Sequence, residues 1–307
     1  MNRSHVLLML AATYLLFASP VSQAVVSSEP ATAVLPHHAA RSHRLPAPLD
    51  EPGLRSTAAL VLDATNDSVL YSRRADVALP IASITKLMTA LVVLEAGQPL
   101  DEMIEITADE RSNGKGAHSR LAVGATLSRG DLIHVALMAS ENRAAHALGR
   151  TFPGGLPALA LAMNAKAAAL GMTSARFVDP TGLSSENVAS SEDLSKLVVA
   201  ASKDPRIREY STDGRYAVQV GRRTLGFRNT NSLVWNPAWN IVVQKTGYLH
   251  EAGRCLVMQA VIEDRTVVIV LLNSFGKYTR VADARRIRKW MEAKLLEHGG
   301  STLATKT

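Results

Sequence analysis

Short runs of apolar residues bounded by polar turn sequences predict β-strands near both ends of the folded part of the chain. Ala58 to Asp63 and Val69 to Tyr71 are apolar runs separated by Thr65-Asn66-Asp67, a turn sequence typical of a hairpin. Three more strands are predicted at Asn240 to Lys245, Arg254 to Ile262 and Thr266 to Leu272. The turn Glu263-Asp264-Arg265 joins the last two, so a second hairpin is predicted late in the chain.

The pattern changes to helical spacing between these two groups of strands. From Ser83 onward, apolar residues recur every three or four positions until Gly97 interrupts them. Further helices are predicted at Leu127 to Ala139, Arg143 to Arg150, Leu156 to Leu170 and Tyr278 to Leu296. Another helix is predicted to begin near Ser191, with Ser190 or Ser191 as its N-cap. We therefore predict an α+β fold, with an antiparallel sheet built from both chain ends and flanked by helices. A mostly helical insertion is expected over roughly residues 97–205.

The first 54 residues follow neither pattern. Residues 1–24 contain one charge, at Arg3, then an apolar stretch and the small residues Ser22-Gln23-Ala24, which together are typical of an export signal. Residues 25–54 are rich in Pro, Ser, Ala and His, a composition that predicts a flexible linker. We expect the folded domain to cover residues 55–296 and a polar tail to cover residues 297–307.

Composition and charge fit an exported globular protein. With 307 residues, 47% of them hydrophobic and 20% charged, the chain can bury an enzyme-sized core, and bulk disorder is excluded. Its single cysteine, Cys255, excludes an intramolecular disulfide and a cysteine-rich zinc site. The formal net charge of +7 suits an acidic polymer outside the cytoplasm, because export argues against nucleic acid as a partner. No histidine belongs to a metal-binding motif, and we predict neither a metal site nor a cofactor.

A serine three residues before a lysine occurs at Ser83 and Lys86, at Ser112 and Lys115, and at Ser274 and Lys277. Two such residues share a face only where the backbone is helical. Only the first pair lies at the opening of a helical apolar run, because the other two have glycine immediately before the lysine. A helix start at Ser83 would also place backbone N–H groups and the positive end of the helix dipole near an oxyanion. Ser83 is therefore the candidate nucleophile.

Lys86 is the candidate base for Ser83. An ordinary ammonium group cannot accept a proton, so the pKa of Lys86 must be lowered by burial or by a nearby positive charge. This requirement predicts a second lysine in the site, and Lys245-Thr246-Gly247 supplies one on a predicted strand. The Thr246 hydroxyl could hold a substrate carboxylate. Gly247 has no side chain, so another segment of backbone could approach the strand closely at this position.

The remaining element expected of such a site is a polar Ser-x-Asn corner, which would assist proton transfer and bind a substrate amide. The sequence contains two Ser-x-Asn matches. Ser140-Glu141-Asn142 lies between two predicted helices, where a tight loop can direct side chains into a cleft. Ser185-Glu186-Asn187 lies in a loop with no helix running into it. We therefore favour Ser140 and Asn142.

The three motifs, in this order, resemble the active-site motifs of serine D,D-peptidases and β-lactamases. The flanking sequences Pro80 to Ala90 and Phe177 to Leu183 resemble the low-molecular-weight penicillin-binding proteins. Those of Ser140 to Ala145 and Phe275 to Thr279 resemble most the D-alanyl-D-alanine endopeptidase branch. The resemblance covers about Ala58 to Leu296 and implies a β-lactamase/transpeptidase-like fold.

The resemblance also implies a reaction. Ser83 would attack a D-alanyl carbonyl in a bacterial cell-wall peptide, giving an acyl-enzyme that water hydrolyses, and penicillins would acylate the same serine. The oxyanion would lie between the backbone N–H groups of Ser83 and Tyr248. Lys245 and Thr246, with Gly247 beside them, would hold the carboxylate next to the scissile bond, and Asn142 would bind the substrate's peptide amide. The partners implied are peptidoglycan cross-linked peptides and β-lactam antibiotics.

Two activities of this class differ in the bond that is cut. Endopeptidases cut D-alanyl to diaminopimelyl cross-links, and carboxypeptidases remove a terminal D-alanine. The carboxypeptidase relatives usually add a C-terminal β domain and an anchoring amphipathic helix, and neither follows Leu296 in this sequence. We therefore expect a soluble periplasmic endopeptidase without a membrane anchor after signal cleavage.

Two alternatives stay open beside the endopeptidase. One is a carboxypeptidase, and another is a penicillin-binding sensor that is acylated but turns nothing over. A class A β-lactamase is disfavoured, because Glu186-Asn187 does not reproduce the Glu-x-x-Leu-Asn spacing used for deacylation in that class.

Overall fold

The computed structural model describes the backbone of residues 51–110 and 119–303, and the side chains of these ranges up to residue 294. The predicted signal at 1–24, residues 25–50 of the predicted linker and the pair Ser112 and Lys115 lie outside the described residues. The strands are β1 (Ser56–Asp63), β2 (Ser68–Arg73), β3 (Leu79–Pro80), β4 (Met103–Glu105), β5 (Thr126–Ser128), β6 (Val188–Ala189), β7 (Arg215–Val220), β8 (Arg223–Arg228), β9 (Asn240–Leu249), β10 (Gly253–Ile262) and β11 (Arg265–Ser274). The α-helices are α1 (Thr85–Glu95), α2 (Arg129–Met138), α3 (Asn142–Arg150), α4 (Gly155–Ala169), α5 (Ser191–Ala201), α6 (Pro205–Thr212) and α7 (Thr279–Leu303).

A five-stranded antiparallel sheet joins the two ends of the described chain. Its strand order is β2-β1-β11-β10-β9, and Ser56 at the start of β1 is paired with Ser274 at the end of β11. The pairs β1–β2 and β10–β11 are local hairpins, whereas the β1–β11 pairing closes a long loop of chain. The predicted α+β fold, with its sheet built from both chain ends, is confirmed.

Both faces of this sheet are covered by helices. Alternate residues of a strand point to opposite faces, and in β1 Ala58 and Leu60 belong to the core shared with α1 and α5. Their neighbours Ala59 and Val61 pack instead with the apolar residues of α7. Because both faces are buried, the strand is a continuous apolar run rather than an alternating one, which is why its signal in the sequence was strong.

Helix α1 lies in the centre of the protein and carries the segment that follows Ser83. Ten of its eleven residues, Thr85 to Leu94, are buried, and it packs against α2, α3, α4 and α5. A helix that is enclosed on all sides is apolar all round rather than amphipathic. This position also buries the lysine in its first turn, because Lys86 has 0% of its surface exposed.

Some elements differ from the prediction. Helix α6 and the hairpin β7–β8 were not predicted, although Asp204 caps α6 by accepting from the Arg206 amide and Pro205 begins it, which is a recognisable start signal. The backbone of α7 continues past Leu296 to Leu303, into the region predicted as a polar tail, because polar residues alone do not end a helix. No helix in the described ranges combines the length and apolar character needed to cross a bilayer.

Candidate active site

Ser83 lies at a tight turn that leads directly into α1. A short 3₁₀ turn covers Ala82–Ile84, and the preceding strand β3 is held by pairing with β6. Ala82 has φ 48°, a left-handed conformation that residues other than glycine rarely adopt. Such a conformation costs free energy and persists where the surroundings fix it, which is a recurrent property of functional sites. The turn leaves Ser83 partly accessible beside the buried Lys86.

The amine of Lys86 is held by three oxygen atoms. Its Nζ lies 2.9 Å from Ser83 Oγ, 2.7 Å from Asn142 Oδ1 and 2.6 Å from the Thr181 carbonyl oxygen. The last two oxygens can only accept hydrogen bonds. A neutral amine has two N–H groups and one lone pair, so these two acceptors take both hydrogens. The lone pair is then left for the Ser83 hydroxyl, which is the arrangement a general base requires.

Burial lowers the pKa of Lys86 to about 7, while the carboxylates of Asp179 and Glu141 act in the opposite direction. Desolvation penalises the charged form of an amine, so at neutral pH the neutral form is well populated. The sequence argument required burial or a nearby positive charge, and here burial is the main cause. The second lysine is close, but it is not what brings the pKa of Lys86 down.

Lys245 approaches the same cleft from β9. It is fully buried, and its Nζ donates to Ser140 Oγ at 2.9 Å and to the Thr246 carbonyl at 2.9 Å. Burial lowers the pKa of Lys245 well below its ordinary value, and the positive charges of Lys86 and Arg280 lower it further. Ser140 has φ 61° in the short connection between α2 and α3, so a second left-handed residue lies at the site. The Ser140–Asn142 corner therefore connects the two lysines.

The next residues of β9 pass close to Ser83. A Cβ atom built at Gly247 would lie 2.8 Å from the Ile81 carbonyl oxygen and 3.2 Å from the Ser83 amide nitrogen. Thr246 is buried, and its hydroxyl lies 2.6 Å from the hydroxyl of Thr230. Tyr248 is 55% exposed, with the Arg254 guanidinium 4.4 Å from the centre of its ring. The structure thus brings Ser83, Lys86, Ser140, Asn142 and the Lys245-Thr246-Gly247 segment together, and Tyr248 follows that segment on β9.

Replacing Gly247 by alanine is expected to slow acylation by a penicillin about 100-fold, because the added methyl group would push β9 away from Ser83. The measurement is the second-order rate constant for labelling by a fluorescent penicillin. Gly130→Ala is the matched control, since the nearest atom to its added Cβ would lie 3.4 Å away, an ordinary contact. Equal rates for Gly247→Ala and the wild type would contradict this account of the close approach.

The other Ser-x-Asn sequence builds a loop rather than the cleft. Asn187 is fully buried, accepts from the Val178 amide at 2.6 Å and donates to Asp179 Oδ2 at 2.7 Å. The Asp179 carboxylate also accepts from the amides of Thr181 and Gly182. This network fixes the loop whose Thr181 carbonyl holds Lys86, a function that the sequence analysis did not assign. The turn sequence Asp179-Pro180-Thr181-Gly182 was the available signal.

Arg280 is a second residue that the sequence analysis missed. Its charge is one of those that lower the pKa of Lys245, which locates it near the site. Its Nε and Nη1 are buried and have no hydrogen-bond partner among the described residues. A guanidinium with unused donors near Lys245 can bind a carboxylate. It follows Phe275 to Thr279, but no pattern in the sequence indicated that its charge would act on Lys245.

Comparison with solved structures gives the class of protein. The crystal structure of the Streptomyces K15 DD-transpeptidase is similar over 79% of this chain and 98% of that chain, with a TM-score of 0.74 and 25% sequence identity. The fold, with a serine and a buried lysine in contact at its centre, defines a serine D,D-peptidase of the penicillin-binding type. Residues 47–276 match the family model described as D-alanyl-D-alanine carboxypeptidase, and the chain belongs to this family.

Two relatives within this family are much more similar in sequence. One from Pseudomonas aeruginosa is 51% identical over 78% of each chain, and one from Escherichia coli K12 is 46% identical over 79% of each chain. Both are named D-alanyl-D-alanine endopeptidase. The resemblance stated from the three motifs is therefore confirmed.

Proposed function

We propose that this chain is a D,D-endopeptidase that hydrolyses D-alanyl to diaminopimelyl cross-links in bacterial peptidoglycan through an acyl-enzyme on Ser83. One observation carries the mechanism. The buried Lys86 amine lies 2.9 Å from Ser83 Oγ, while two acceptor-only oxygens take its hydrogens. A lysine in this state can remove the hydroxyl proton at neutral pH without a histidine.

In the acylation step, Lys86 takes the Ser83 proton while Oγ forms a bond to the D-alanyl carbonyl carbon. The tetrahedral intermediate then breaks its C–N bond, and the leaving amine receives a proton. The Ser140 hydroxyl donates that proton and takes in exchange the one held by Lys86, so that Lys86 is neutral again. Ser140 Oγ accepts a hydrogen bond from Lys245 at 2.9 Å, and its neighbour Asn142 contacts Lys86 at 2.7 Å. Water hydrolyses the ester and regenerates the Ser83 hydroxyl.

The oxyanion is bound by the backbone N–H groups of Ser83 and Tyr248. Two features support this assignment. Gly247 allows the β9 backbone to pass beside the Ser83 amide, and the Ser83 turn lies at the N-terminal, positive end of α1. Fixed N–H donors directed at the developing charge commonly make the largest contribution to acyl-transfer catalysis.

The carboxylate next to the scissile bond is bound by Lys245, Thr246 and Arg280, and the amide on the acyl side by Asn142. Burial of Lys245 and Arg280 without a carboxylate is costly, and a bound carboxylate offsets that cost. The same contact favours the charged form of Lys245, so it raises the pKa of Lys245 towards its ordinary range. Substrate binding and the charge state of this lysine are therefore coupled.

Two further parts of the proposal rest on the relatives and on the sequence. The relatives at 46% and 51% identity are named endopeptidases, whereas those named carboxypeptidases are 23–28% identical. This difference favours the endopeptidase over the carboxypeptidase that the family description names. The export-type sequence of residues 1–24 supports a periplasmic location, where β-lactams would act as covalent inhibitors of Ser83.

The purified protein is expected to release monomers from cross-linked muropeptide dimers. The measurement is chromatography of dimers and of pentapeptide monomers incubated in parallel with the same enzyme. Release of D-alanine from pentapeptides with dimers left intact would show a carboxypeptidase instead. Labelling by penicillin without cleavage of either substrate would show the sensor alternative.

A further inference from the structure

We propose that a basic groove next to Thr246 binds the acidic peptide that leaves when a cross-link is cut, and so favours cross-linked substrates over monomers. This inference rests on the proposed function. The arginine groove, as we name it, consists of two adjoining cavities. Arg120, Phe227 and Arg228 line both cavities. The inner cavity also has Glu141 and Thr230 in its lining, and the outer cavity has Arg215 of the hairpin β7–β8.

The arginine groove is continuous with the carboxylate site. The Thr246 hydroxyl contacts the Thr230 hydroxyl at 2.6 Å, and Thr230 lines the nearer cavity of about 220 Å³. Arg120 and Arg228 line both this cavity and the outer one, which has about 460 Å³. A ligand that extends from Thr246 past Thr230 therefore meets these two arginines first.

The hairpin that forms the outer wall is strongly basic. From Arg215 to Arg228 the sequence has four arginines and no acidic residue. Arg215 and Arg228 are cross-strand partners, and their guanidinium groups lie 5.4 and 5.2 Å from the centre of the Trp235 ring. Within the described ranges neither side chain has a carboxylate in ion-pair contact. Stacking on the ring orients both groups and leaves their N–H donors available for an anion.

Glu141 is the one acidic residue of the lining, and it already has partners. Its Oε1 accepts from the Ser119 hydroxyl, from the Arg120 amide at 2.9 Å and from the Leu121 amide at 3.3 Å. Three arginines and one glutamate leave the groove with two net positive charges. Arg120 also donates to the Gly226 carbonyl and lies over the Phe227 ring, so it fixes the junction of the two cavities.

The position of the groove selects the leaving peptide rather than the acyl part of the substrate. In the proposed function, Lys245 and Thr246 bind the carboxylate of the residue whose amine departs, and Asn142 binds the other side. When the leaving group is D-alanine, the molecule ends at that carboxylate and no part of it extends past Thr230. A leaving stem peptide continues and carries further carboxylates, which guanidinium groups bind with charge-assisted hydrogen bonds. The groove therefore distinguishes the endopeptidase substrate from the carboxypeptidase substrate.

The test compares a double variant of the groove with a double variant of the hairpin tip. For Arg215→Gln with Arg228→Gln, we expect kcat/KM on cross-linked dimers to fall about tenfold, mainly through KM, because two exposed charged contacts are lost. Acylation by penicillin and release of D-alanine from pentapeptides should stay within about twofold, since neither uses a long leaving group. Arg222→Gln with Arg223→Gln, outside the groove lining, should leave all three rates unchanged.

Two further arms make the result specific to charge recognition. The double variant with lysine at 215 and 228 should recover part of the lost kcat/KM, because it keeps the charge without the fork geometry. Dimers amidated at the leaving-peptide carboxylates other than the one next to the scissile bond should be cut equally well by the wild type and the glutamine variant. Unchanged dimer cleavage by the glutamine variant, or equal losses in dimer cleavage and penicillin acylation, would overturn the proposal. A wild type that is acylated but cuts no dimer would refute the proposed function, and the groove proposal with it.

Discussion

Replacing Ser83 by alanine is expected to lower both penicillin acylation and dimer cleavage by on the order of 10⁴-fold or more, the usual size of the loss when a nucleophile is removed. The physical reason is that no other hydroxyl lies within 3 Å of the Lys86 amine among the described residues. The measurement is labelling by a fluorescent penicillin, together with chromatography of the dimer reaction. Ser83→Ala should still bind dimers, because the groups assigned to substrate binding are untouched.

Ser274→Ala provides the matched control for the nucleophile. Ser274 also precedes a lysine by three residues, but it is buried at the end of β11 and its hydroxyl is 2.7 Å from that of Ser56. Its loss should leave acylation at the wild-type rate and lower the free energy of unfolding by about 1 kcal/mol, the usual worth of one hydrogen bond. Labelling of Ser83→Ala at the wild-type rate would remove the basis of the assignment.

Replacing Lys86 by methionine is expected to slow acylation by about 1,000-fold, within the range that general-base catalysis contributes. Methionine keeps the length of the side chain in the buried site and removes the proton acceptor. Lys277→Met, the equivalent change in the exposed third Ser-x-x-Lys match, should have no effect. The measurement is the single-turnover acylation rate, with the binding of dimers to the unacylated variant measured separately. Loss of dimer binding with normal acylation would contradict the assigned role.

The dependence of acylation on pH tests the same role of Lys86. The pKa of Lys86 is lowered to about 7, and only the neutral amine can accept the Ser83 proton. The wild-type rate should therefore rise with pH through about 7 and level off above it, because the protonated form dominates at lower pH. Lys86→Met should lack this rise. The two lysines interact, so the observed midpoint belongs to the pair rather than to Lys86 alone.

Elements with strong local signals were predicted well from the sequence. The helix expected at Arg143 to Arg150 is α3, at Asn142–Arg150, and the cap expected before α5 is Ser190, whose side chain accepts from the Asp193 amide. The hairpin β7–β8 was missed although the sequence carries a signal for it. Tyr216, Val218 and Val220 alternate with other residues as in a half-buried strand, and Val218 is buried in the core.

Only those residues of the candidate site that belong to a sequence motif could be predicted from the sequence. The two Ser-x-Asn sequences are equivalent as letters, and helical flanks favoured Ser140 over Ser185. The structure adds the contact of Asn142 with Lys86 and the burial of Asn187 in the loop that presents the Thr181 carbonyl. Thr181 contacts Lys86 through its backbone carbonyl, and the charge of Arg280 lowers the pKa of Lys245 from a distant part of the sequence, so neither has a signature in residue type.

The sequence by itself determined the strands of the main sheet and most of the helices, the order of the three motifs, and the class of chemistry that a serine, two lysines and an asparagine can perform. Only the tertiary structure decided whether those groups act together. Lys86 meets oxygens 56 and 95 residues away, and Lys245 meets one 105 residues away. The pKa of an amine and the direction of its lone pair depend on burial and on neighbouring groups. Only long-range packing provides this burial and these neighbours.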